Sequence, residues 1–224
     1  MLWVGIFVKS EERIITIDGP SASGKGALTK ALAQFLDYKI LDSGLLYRAY
    51  AYFYEMHLGS NEIKENITNL NVEIINNELI AIFNGRNLTN DLRSELTAKT
   101  ASKLSALKDT RNNLLGIQRA LNNELGLVAD GRDMGTVVFP NAGNKFFLTA
   151  SPEIRAKRRF LELQNRGQEV NMRDLIEDIE QRDQADQSRE LSPLLPADDA
   201  TVIDTSNMSL EEVFSFTKKL IKGI

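Results

Sequence analysis

Residues 14–26 read Ile14-Ile15-Thr16-Ile17-Asp18-Gly19-Pro20-Ser21-Ala22-Ser23-Gly24-Lys25-Gly26. A short β-branched run ends in a glycine-rich turn, and an apolar-periodic segment from Leu28 to Leu36 follows. This order predicts a strand, a loop and a helix, which is the arrangement of a phosphate-binding loop. In such a loop the backbone N–H groups and the positive end of the helix dipole converge on an anion, and Lys25 can reach the outer phosphates. The stretch therefore predicts a polyphosphate site.

The loop departs from the usual phosphate-loop pattern at one point. The spacing from Gly19 through Gly24 to Lys25 is complete, but Gly26 and Ala27 stand where a Ser or Thr hydroxyl would bind Mg²⁺. An ordinary glycine-rich turn between a strand and a helix is the alternative interpretation, and the flanking patterns favour the phosphate loop. Its binding residues are predicted to be Gly19, Pro20, Ser21, Ala22, Ser23, Gly24, Lys25, Gly26 and Ala27.

The composition is that of a globular protein without general affinity for nucleic acid. The chain has 224 residues, 42% hydrophobic and 26% charged, which is enough for one sizeable core with inserts. Its formal net charge of −4 argues against a nucleic-acid partner. It has no cysteine, which excludes disulfides and suits the reducing cytoplasm. Residues 1–12 lack a signal-peptide pattern and are too short to span a membrane, so we expect a dispensable extension.

Strand and helix patterns alternate along the chain, which predicts an α/β fold with a doubly wound parallel sheet. Between about residues 60 and 108 two β runs and their Asn/Gly turns, Asn76-Asn77 and Asn84-Gly85, interrupt the alternation. They predict a small antiparallel meander within an insert. The core is then expected at 13–59, 109–154 and 190–224.

Residues 155–189 are predicted to form an arginine-bearing helical lid. A helix from Pro152 places Arg155, Arg158 and Arg159 on one face. The next helix, from about Asn171, is expected to carry Arg182, Asp186 and Arg189 on one face. The alternative interpretation is that these arginines lie on solvent-exposed helix faces and form ion pairs with nearby glutamates such as Glu162. Two arginine faces joined by a glycine turn favour a phosphate clamp.

Three classes of phosphate-loop protein can be compared with this chain. A guanine-nucleotide switch needs Asn-Lys-x-Asp, but Asn144-Lys145 is followed by two phenylalanines. A motor or AAA-type ATPase needs an apolar strand ending in Asp-Glu, but Asp130 is followed by Gly131. A small-molecule kinase needs a phosphate loop, an acceptor-binding insert and an arginine lid, and all three are predicted here. A non-catalytic nucleotide-binding regulatory module is a further alternative.

Four groups of residues form a recognisable set: Gly19–Gly26, Leu41-Asp42-Ser43-Gly44 with Tyr47-Arg48, Ala129-Asp130-Gly131-Arg132-Asp133-Met134-Gly135-Thr136, and Arg182-Asp183 with Asp186 and Arg189. In these residues the chain resembles the bacterial cytidylate kinase family, and the resemblance runs from about Arg13 to the C-terminus. The Asp-Gly-Arg-Asp-Met-Gly-Thr string is far more specific than the phosphate loop. The resemblance implies a P-loop kinase with an NMP-binding insert that transfers the γ-phosphoryl of ATP, with Mg²⁺, to CMP or dCMP. It also implies a monomer. Kinases of this scaffold acting on UMP, AMP or shikimate are the nearest alternative.

The resemblance also implies roles for individual residues. The catalytic group would be Lys25, Arg132, Arg158, Arg159 and Arg189. The cytosine would be read by Ser102, Arg111 and Asp133, the ribose by Tyr47, Arg182 and Asp186, and the acceptor phosphate by Ser43, Arg48, Arg132 and Arg189. Because family members commonly carry Thr where this chain has Ala27, Mg²⁺ is expected to bind more weakly. Nucleotide oxygens, waters and, through water, Asp42 or Asp130 would then hold it.

Overall fold

The computed structural model describes residues 10–75, 78–122, 125–165 and 167–222. Residues 1–9 of the predicted extension and the predicted turn at Asn76-Asn77 lie outside the described residues. The chain divides by its internal contacts into two compact units, Met1–Leu41 with Asn122–Ile224, and Asp42–Leu121.

The regular elements alternate much as the sequence predicts. The strands are β1 (Ile14–Asp18), β2 (Lys39–Asp42), β3 (Asn71–Ile75), β4 (Glu78–Phe83), β5 (Arg86–Asn87), β6 (Leu127–Gly131), β7 (Asn144–Thr149) and β8 (Thr201–Asp204). The α-helices are α1 (Lys25–Leu36), α2 (Ser43–Glu55), α3 (Ser60–Thr68), α4 (Thr89–Leu92), α5 (Glu95–Leu104), α6 (Lys108–Ala120), α7 (Pro152–Asn165), α8 (Met172–Gln187) and α9 (Leu210–Leu220). A short 3₁₀-helix precedes β1, and a π-helix spans Met134–Val138.

A five-stranded sheet in the order β2-β6-β1-β7-β8 forms the first unit's centre. β1 pairs in parallel with β6 and with β7, and β7 pairs in parallel with β8. All five residues of β1 are buried, as expected of a parallel strand covered on both faces. Ile15 and Ile17 pack with Leu28 and Leu32 of α1 in the core. The predicted parallel α/β sheet is confirmed.

The second unit surrounds helix α2, which packs against α3, α4, α5 and α6. The predicted antiparallel meander is confirmed as the sheet β3-β4-β5. Ala81 in its middle strand joins it to α4, because its N–H donates to Thr89 Oγ1 (2.9 Å) and its carbonyl accepts from Leu88 N–H (2.8 Å). This unit is wider than the predicted insert at 60–108, since α2 and α6 belong to it.

The sequence pattern predicts helices at about Ser94–Leu107 and Asp109–Leu125 and a third helix that reaches Arg189, and all three predicted ends are wrong. α5 ends at Leu104 instead of Leu107, where the Ser105 hydroxyl turns back to the Ser102 carbonyl (2.8 Å). α6 ends at Ala120 and not near Leu125. α8 ends at Gln187, because the chain folds back there and the Leu194 N–H donates to the Asp186 carbonyl (2.9 Å). Arg189 therefore lies beyond the helix on which the sequence pattern had placed it.

None of the helices in the described ranges combines the length and the apolar composition needed to cross a membrane.

Gly19 sits where β1 meets β7, and we predict that a side chain there destabilises the fold. Its φ is +144°, and a Cβ would lie 2.1 Å from the Leu148 carbonyl oxygen. Gly19→Ala should lower the free energy of unfolding by about 2–5 kcal/mol, through backbone strain and overpacking together. Chemical denaturation measures this loss.

Gly116→Ala is the matched control for this prediction. Gly116 lies in α6, and a Cβ there would have no heavy atom within 4 Å, so the change should be neutral or stabilising by up to about 1 kcal/mol. Equal effects of the two substitutions would contradict the close approach at Gly19.

Candidate active site

The loops after the parallel strands leave from the same edge of the five-stranded sheet. β1 ends at Asp18 and β6 at Gly131, and these two residues are in register. β7 ends at Thr149 and β8 at Asp204, which are also in register. The carboxyl edge of an open parallel sheet is where α/β proteins bind ligands. The candidate site of the first unit is built on this edge.

The loop after β1 leads directly into the N-terminus of α1. Gly24 is the N-cap residue, with a φ of 98° and no side chain to bond the first N–H groups of the helix. The Lys25 side chain is buried and its Nζ donates to the Pro20 carbonyl at 2.7 Å, so it folds over the loop. An open helix N-terminus beside an ammonium group suits a phosphate group. The geometry fits the predicted polyphosphate site.

Charged groups around Lys25 strongly affect its protonation. Burial, and next the positive charge of Arg132, lower the pKa of Lys25 to about 7, while Asp130 and Asp18 act in the opposite direction. The positive charge of Arg182 also lowers this pKa. A phosphate anion at the loop would favour the charged ammonium.

Asp186 joins two of the predicted site arginines. Its carboxylate is 1% exposed, accepts from Arg132 Nε at 2.9 Å and forms an ion pair with Arg189. Burial by itself would raise the pKa of Asp186, but Arg132 and Arg189 outweigh it and hold that pKa below its usual range. Asp186 in turn raises the pKa of Arg132, against the effect of burial. Although Arg189 lies outside α8, the structure still brings it to Asp186.

The turn that follows β6, which begins with Arg132 and Asp133, is held by a residue of β1. Asp133, predicted to read the base, is 4% exposed. The next two N–H groups, of Met134 and Gly135, donate to the Asp18 carboxylate at 2.8 and 2.7 Å. No motif in the sequence predicts this role of Asp18.

The three arginines of α7 have different partners. Arg158 donates to the hydroxyl and carbonyl of Thr205 (3.0 and 2.6 Å), and its Nη1 lies 3.8 Å from where a Cβ on Gly24 would stand. It is therefore next to the phosphate loop. Arg159 instead pairs with Glu162 on its own helix at 2.9 Å.

Arg155 forms a buried link that the sequence did not predict. It is 3% exposed and donates to the Ala150 carbonyl (2.9 Å) and to the Ser21 carbonyl of the phosphate loop (3.3 Å). Its third partner is Asp183 of α8, at 2.5 Å. Arg155 thus ties α8 to the phosphate loop. Spacing could not reveal this pair, because its members lie on different helices.

In the second unit, the predicted residues gather around the start of α2. Asp42 is its N-cap and accepts from the Leu45 N–H at 2.9 Å. The Ser43 hydroxyl donates to Gln118 Oε1 of α6 at 2.9 Å. The Arg111 guanidinium lies over the Tyr47 ring, 5.8 Å from its centroid. The structure therefore brings Tyr47 and Arg111 together.

The remaining two predicted residues of this unit border the same helices. Arg48, on α2, donates to the Leu92 carbonyl at 3.1 Å. Ser102, on α5, is linked to Arg111 through Ser105, whose carbonyl accepts from Arg111 (2.9 Å) and whose hydroxyl donates to the Ser102 carbonyl (2.8 Å). The predicted base readers of this unit, Ser102 and Arg111, are thus neighbours.

Comparison with known proteins identifies the relatives of the chain. The cytidylate kinase family matches residues 15–222. The chain belongs to this family. The cytidylate kinase of Yersinia enterocolitica is 45% identical over 206 residues, covering 89% of this chain and 90% of that protein. The cytidylate kinase of Yersinia pestis strain Pestoides F is 44% identical with the same coverage. The predicted family is confirmed.

A solved structure shares the fold without close sequence similarity. The crystal structure of an uncharacterized protein from Eubacterium ventriosum superimposes with a TM-score of 0.51 at 13% identity. The match covers 94% of this chain and 98% of that one.

The family implies a Mg²⁺-bound nucleotide, and the residues present can accommodate one. Asp130 Oδ2 lies 3.5 Å from where a Cβ on Gly26 would stand, so a carboxylate borders the start of α1. One oxygen of Asp42 already caps α2. Within the described ranges, no three His, Cys, Asp or Glu side chains form a metal-binding group. The single carboxylate of Asp130 beside α1 suits an ion that takes most of its ligands from nucleotide oxygens and water.

We predict that ATP binding at pH 8 is accompanied by proton uptake at Lys25. Burial leaves the pKa of this residue at about 7, and a neighbouring phosphate raises it, so the free protein must gain a proton when it binds ATP. In calorimetry, the measured enthalpy of ATP binding should change with the ionisation enthalpy of the buffer, because the buffer supplies the proton.

Lys25→Arg is the control for this measurement, because an arginine stays charged throughout. Its binding enthalpy should be the same in every buffer. A wild-type enthalpy that is independent of the buffer would contradict the prediction.

Proposed function

We propose that this protein transfers the γ-phosphoryl group of ATP to CMP and dCMP, which yields ADP with CDP or dCDP. The observation that carries the proposal is the set of cationic side chains at the carboxyl edge of the sheet, where Lys25 folds over the phosphate loop and the buried Asp186 holds Arg132 and Arg189. Family membership supports it, since relatives 45% and 44% identical are cytidylate kinases.

In the proposed reaction, a phosphate oxygen of the acceptor nucleotide attacks the γ-phosphorus of ATP. The bond from that phosphorus to the β–γ bridging oxygen breaks, and its electron pair leaves with ADP. The acceptor is itself the nucleophile, so no nucleophilic side chain is required. The protein's contribution is alignment and stabilisation of the charge on the transferring group.

The phosphate donor is assigned to the loop and to α7. Residues 19–27 bind ATP, and Lys25 neutralises its outer phosphates. Arg158 is supported as a catalytic arginine by its position beside Gly24. Arg159 is proposed for the same group, on the condition that it exchanges Glu162 for phosphate. Mg²⁺ supplies further charge neutralisation when ATP is bound, and Asp42 or Asp130 is proposed to hold it through water.

The acceptor phosphate is assigned to Ser43, Arg48, Arg132 and Arg189, and the ribose to Tyr47, Arg182 and Asp186. Asp186 supports this assignment because its single buried carboxylate binds both Arg132 and Arg189. A guanidinium held in this way is already oriented when a phosphate arrives, which reduces the entropy lost on binding.

The base is assigned to Ser102, Arg111 and Asp133. A carboxylate accepts a hydrogen bond from the cytosine amino group, whereas a uracil carbonyl in the same place would be repelled. Because Asp133 is buried, an acceptor that repels its carboxylate loses affinity.

The wider organisation follows from the same proposal. Residues 60–108 are proposed to bind the acceptor and residues 155–189 to close over the phosphates. We further propose a monomer that acts in the cytoplasm on ATP and CMP or dCMP, without a nucleic-acid or membrane partner.

The direct test is ADP release from ATP and Mg²⁺ with CMP, dCMP, UMP, AMP, GMP and shikimate as separate acceptors. A rate that strongly favours CMP and dCMP supports the proposal. Comparable rates with UMP or AMP would support kinase activity but refute the proposed cytosine site. ATP binding without turnover of any acceptor would indicate a regulatory nucleotide-binding protein.

Asp133→Ala should narrow the preference for CMP over UMP. Loss of a hydrogen bond to a charged group costs about 1.5–3 kcal/mol, so the ratio of kcat/KM values for the two acceptors should fall by roughly 10- to 100-fold. Asp198→Ala, at an exposed aspartate, is the control and should leave the ratio unchanged. An unchanged ratio in Asp133→Ala would remove this residue from base recognition.

A further inference from the structure

Asp18 is a buried carboxylate at the end of the central strand. It is the last residue of β1, directly precedes Gly19 of the phosphate loop and is 5% exposed. Its Oδ1 accepts from the Met134 N–H at 2.8 Å, and its Oδ2 accepts from the Gly135 N–H at 2.7 Å. Both oxygens are therefore used by one turn, which lies 116 and 117 residues farther along the chain.

That turn carries two proposed acceptor-binding side chains. Arg132 and Asp133 directly precede the two N–H groups that Asp18 binds. On the other side, the N–H groups of Val137 and Val138 donate to the Asp133 carbonyl at 2.9 and 3.1 Å. The backbone around Asp133 is thus held from both sides, once by its own π-helix and once by Asp18.

Close packing holds the turn against the sheet. A Cβ on Gly135 would lie 2.9 Å from Thr16 Oγ1 and 3.3 Å from Lys145 Cδ. The turn therefore rests directly on β1 and β7, and the two hydrogen bonds to Asp18 set its position along β1. Loss of either bond would let Arg132 and Asp133 shift together.

We propose that Asp18 is a positioning residue for the acceptor nucleotide: by binding the Met134 and Gly135 N–H groups, its carboxylate aligns Asp133 with the base and Arg132 with the acceptor phosphate. The inference rests on the proposed function, because that function makes Arg132 and Asp133 substrate-binding residues. Asp18 itself touches no substrate in this scheme.

The protonation state of Asp18 decides whether both bonds form. An ionised carboxylate accepts at both oxygens, whereas a protonated one turns an O–H donor toward an N–H and loses a bond. Burial raises the pKa of Asp18 to about 6, against the two backbone N–H bonds, which lower it. Of its charged neighbours, Asp133 raises this pKa and Lys25 lowers it. Lys145 approaches Gly135 with its methylene chain, and its ammonium is bound to Pro140 and Asp199.

The kinetic test compares Asp18→Asn with Thr29→Val. Asp18→Asn keeps the size of the side chain but places an NH₂ donor opposite one of the two N–H groups, where it cannot accept. Thr29→Val is an isosteric change at a buried hydroxyl of α1 that makes no hydrogen bond to the described residues. Thermal denaturation of both variants establishes that they are folded.

Asp18→Asn should raise the KM for CMP at least 10-fold and change the KM for ATP by less than about 3-fold. Tenfold corresponds to about 1.4 kcal/mol, close to the loss of one hydrogen bond to a charged group. Thr29→Val should change neither KM. An equal rise in both KM values would reduce Asp18 to a structural role, and an unchanged KM for CMP would overturn the inference.

A second measurement needs neither nucleotide nor activity. In the free wild-type protein, the amide proton shifts of Met134 and Gly135 should titrate together with the Asp18 carboxyl carbon, with a midpoint near pH 6. The amide titrations should vanish in Asp18→Asn. Amide shifts that do not follow the Asp18 carboxyl carbon would overturn the link between Asp18 and the turn.

The two tests separate this inference from the proposed function. A wild-type protein that fails to phosphorylate CMP refutes the function, while the titration still decides whether Asp18 holds the turn. A wild-type protein that phosphorylates CMP, with a normal KM for CMP in Asp18→Asn, refutes the positioning role and leaves the function intact.

Discussion

Positive charge is concentrated at the carboxyl edge of the five-stranded sheet, and the geometry of this region depends on how buried carboxylates balance it. An unpaired charge in a protein interior costs several kcal/mol, so buried cations occur beside anions. Asp186 meets this requirement for Arg132 and Arg189 at once, with 1% of its surface exposed. Asp183 does the same for Arg155. The chain as a whole carries a formal net charge of −4, so this positive region is a local arrangement.

The same balance explains how the protein can be stable without substrate and still bind phosphate. Arg158 is held by Thr205, and Arg132 by Asp186, so these guanidinium groups have partners within the protein. Lys25 is compensated less fully, which is why burial and Arg132 can lower its pKa to about 7. A phosphate group would supply the missing negative charge at the N-terminus of α1. Binding and charge compensation are therefore the same event at this loop.

The local sequence pattern was sufficient to predict the parallel sheet, the antiparallel meander and the family. β-branched runs that alternate with helix-period segments reflect short-range preferences and burial, which are properties of neighbouring residues. The glycine spacing around Lys25 and the string from Asp130 to Thr136 are also local, and both were recognisable without coordinates. Periodicity was less reliable at helix ends. It extended α8 to Arg189, although a backbone hydrogen bond from Leu194 to Asp186 turns the chain after Gln187.

The tertiary structure alone decided which side chains hold the site together. Asp18 binds a turn 116 residues away, and Arg158 reaches Thr205 across 47 residues. Neither pair has a periodicity to reveal it, because strand order and helix packing set the distance between its members. Ser43 is a similar case: it could be singled out from its motif, but its bond to Gln118 exists only because α2 packs against α6. A short motif determines what a residue can do chemically. Its partners are determined by the register of β1 between β6 and β7 and by the packing of helices that are distant in sequence.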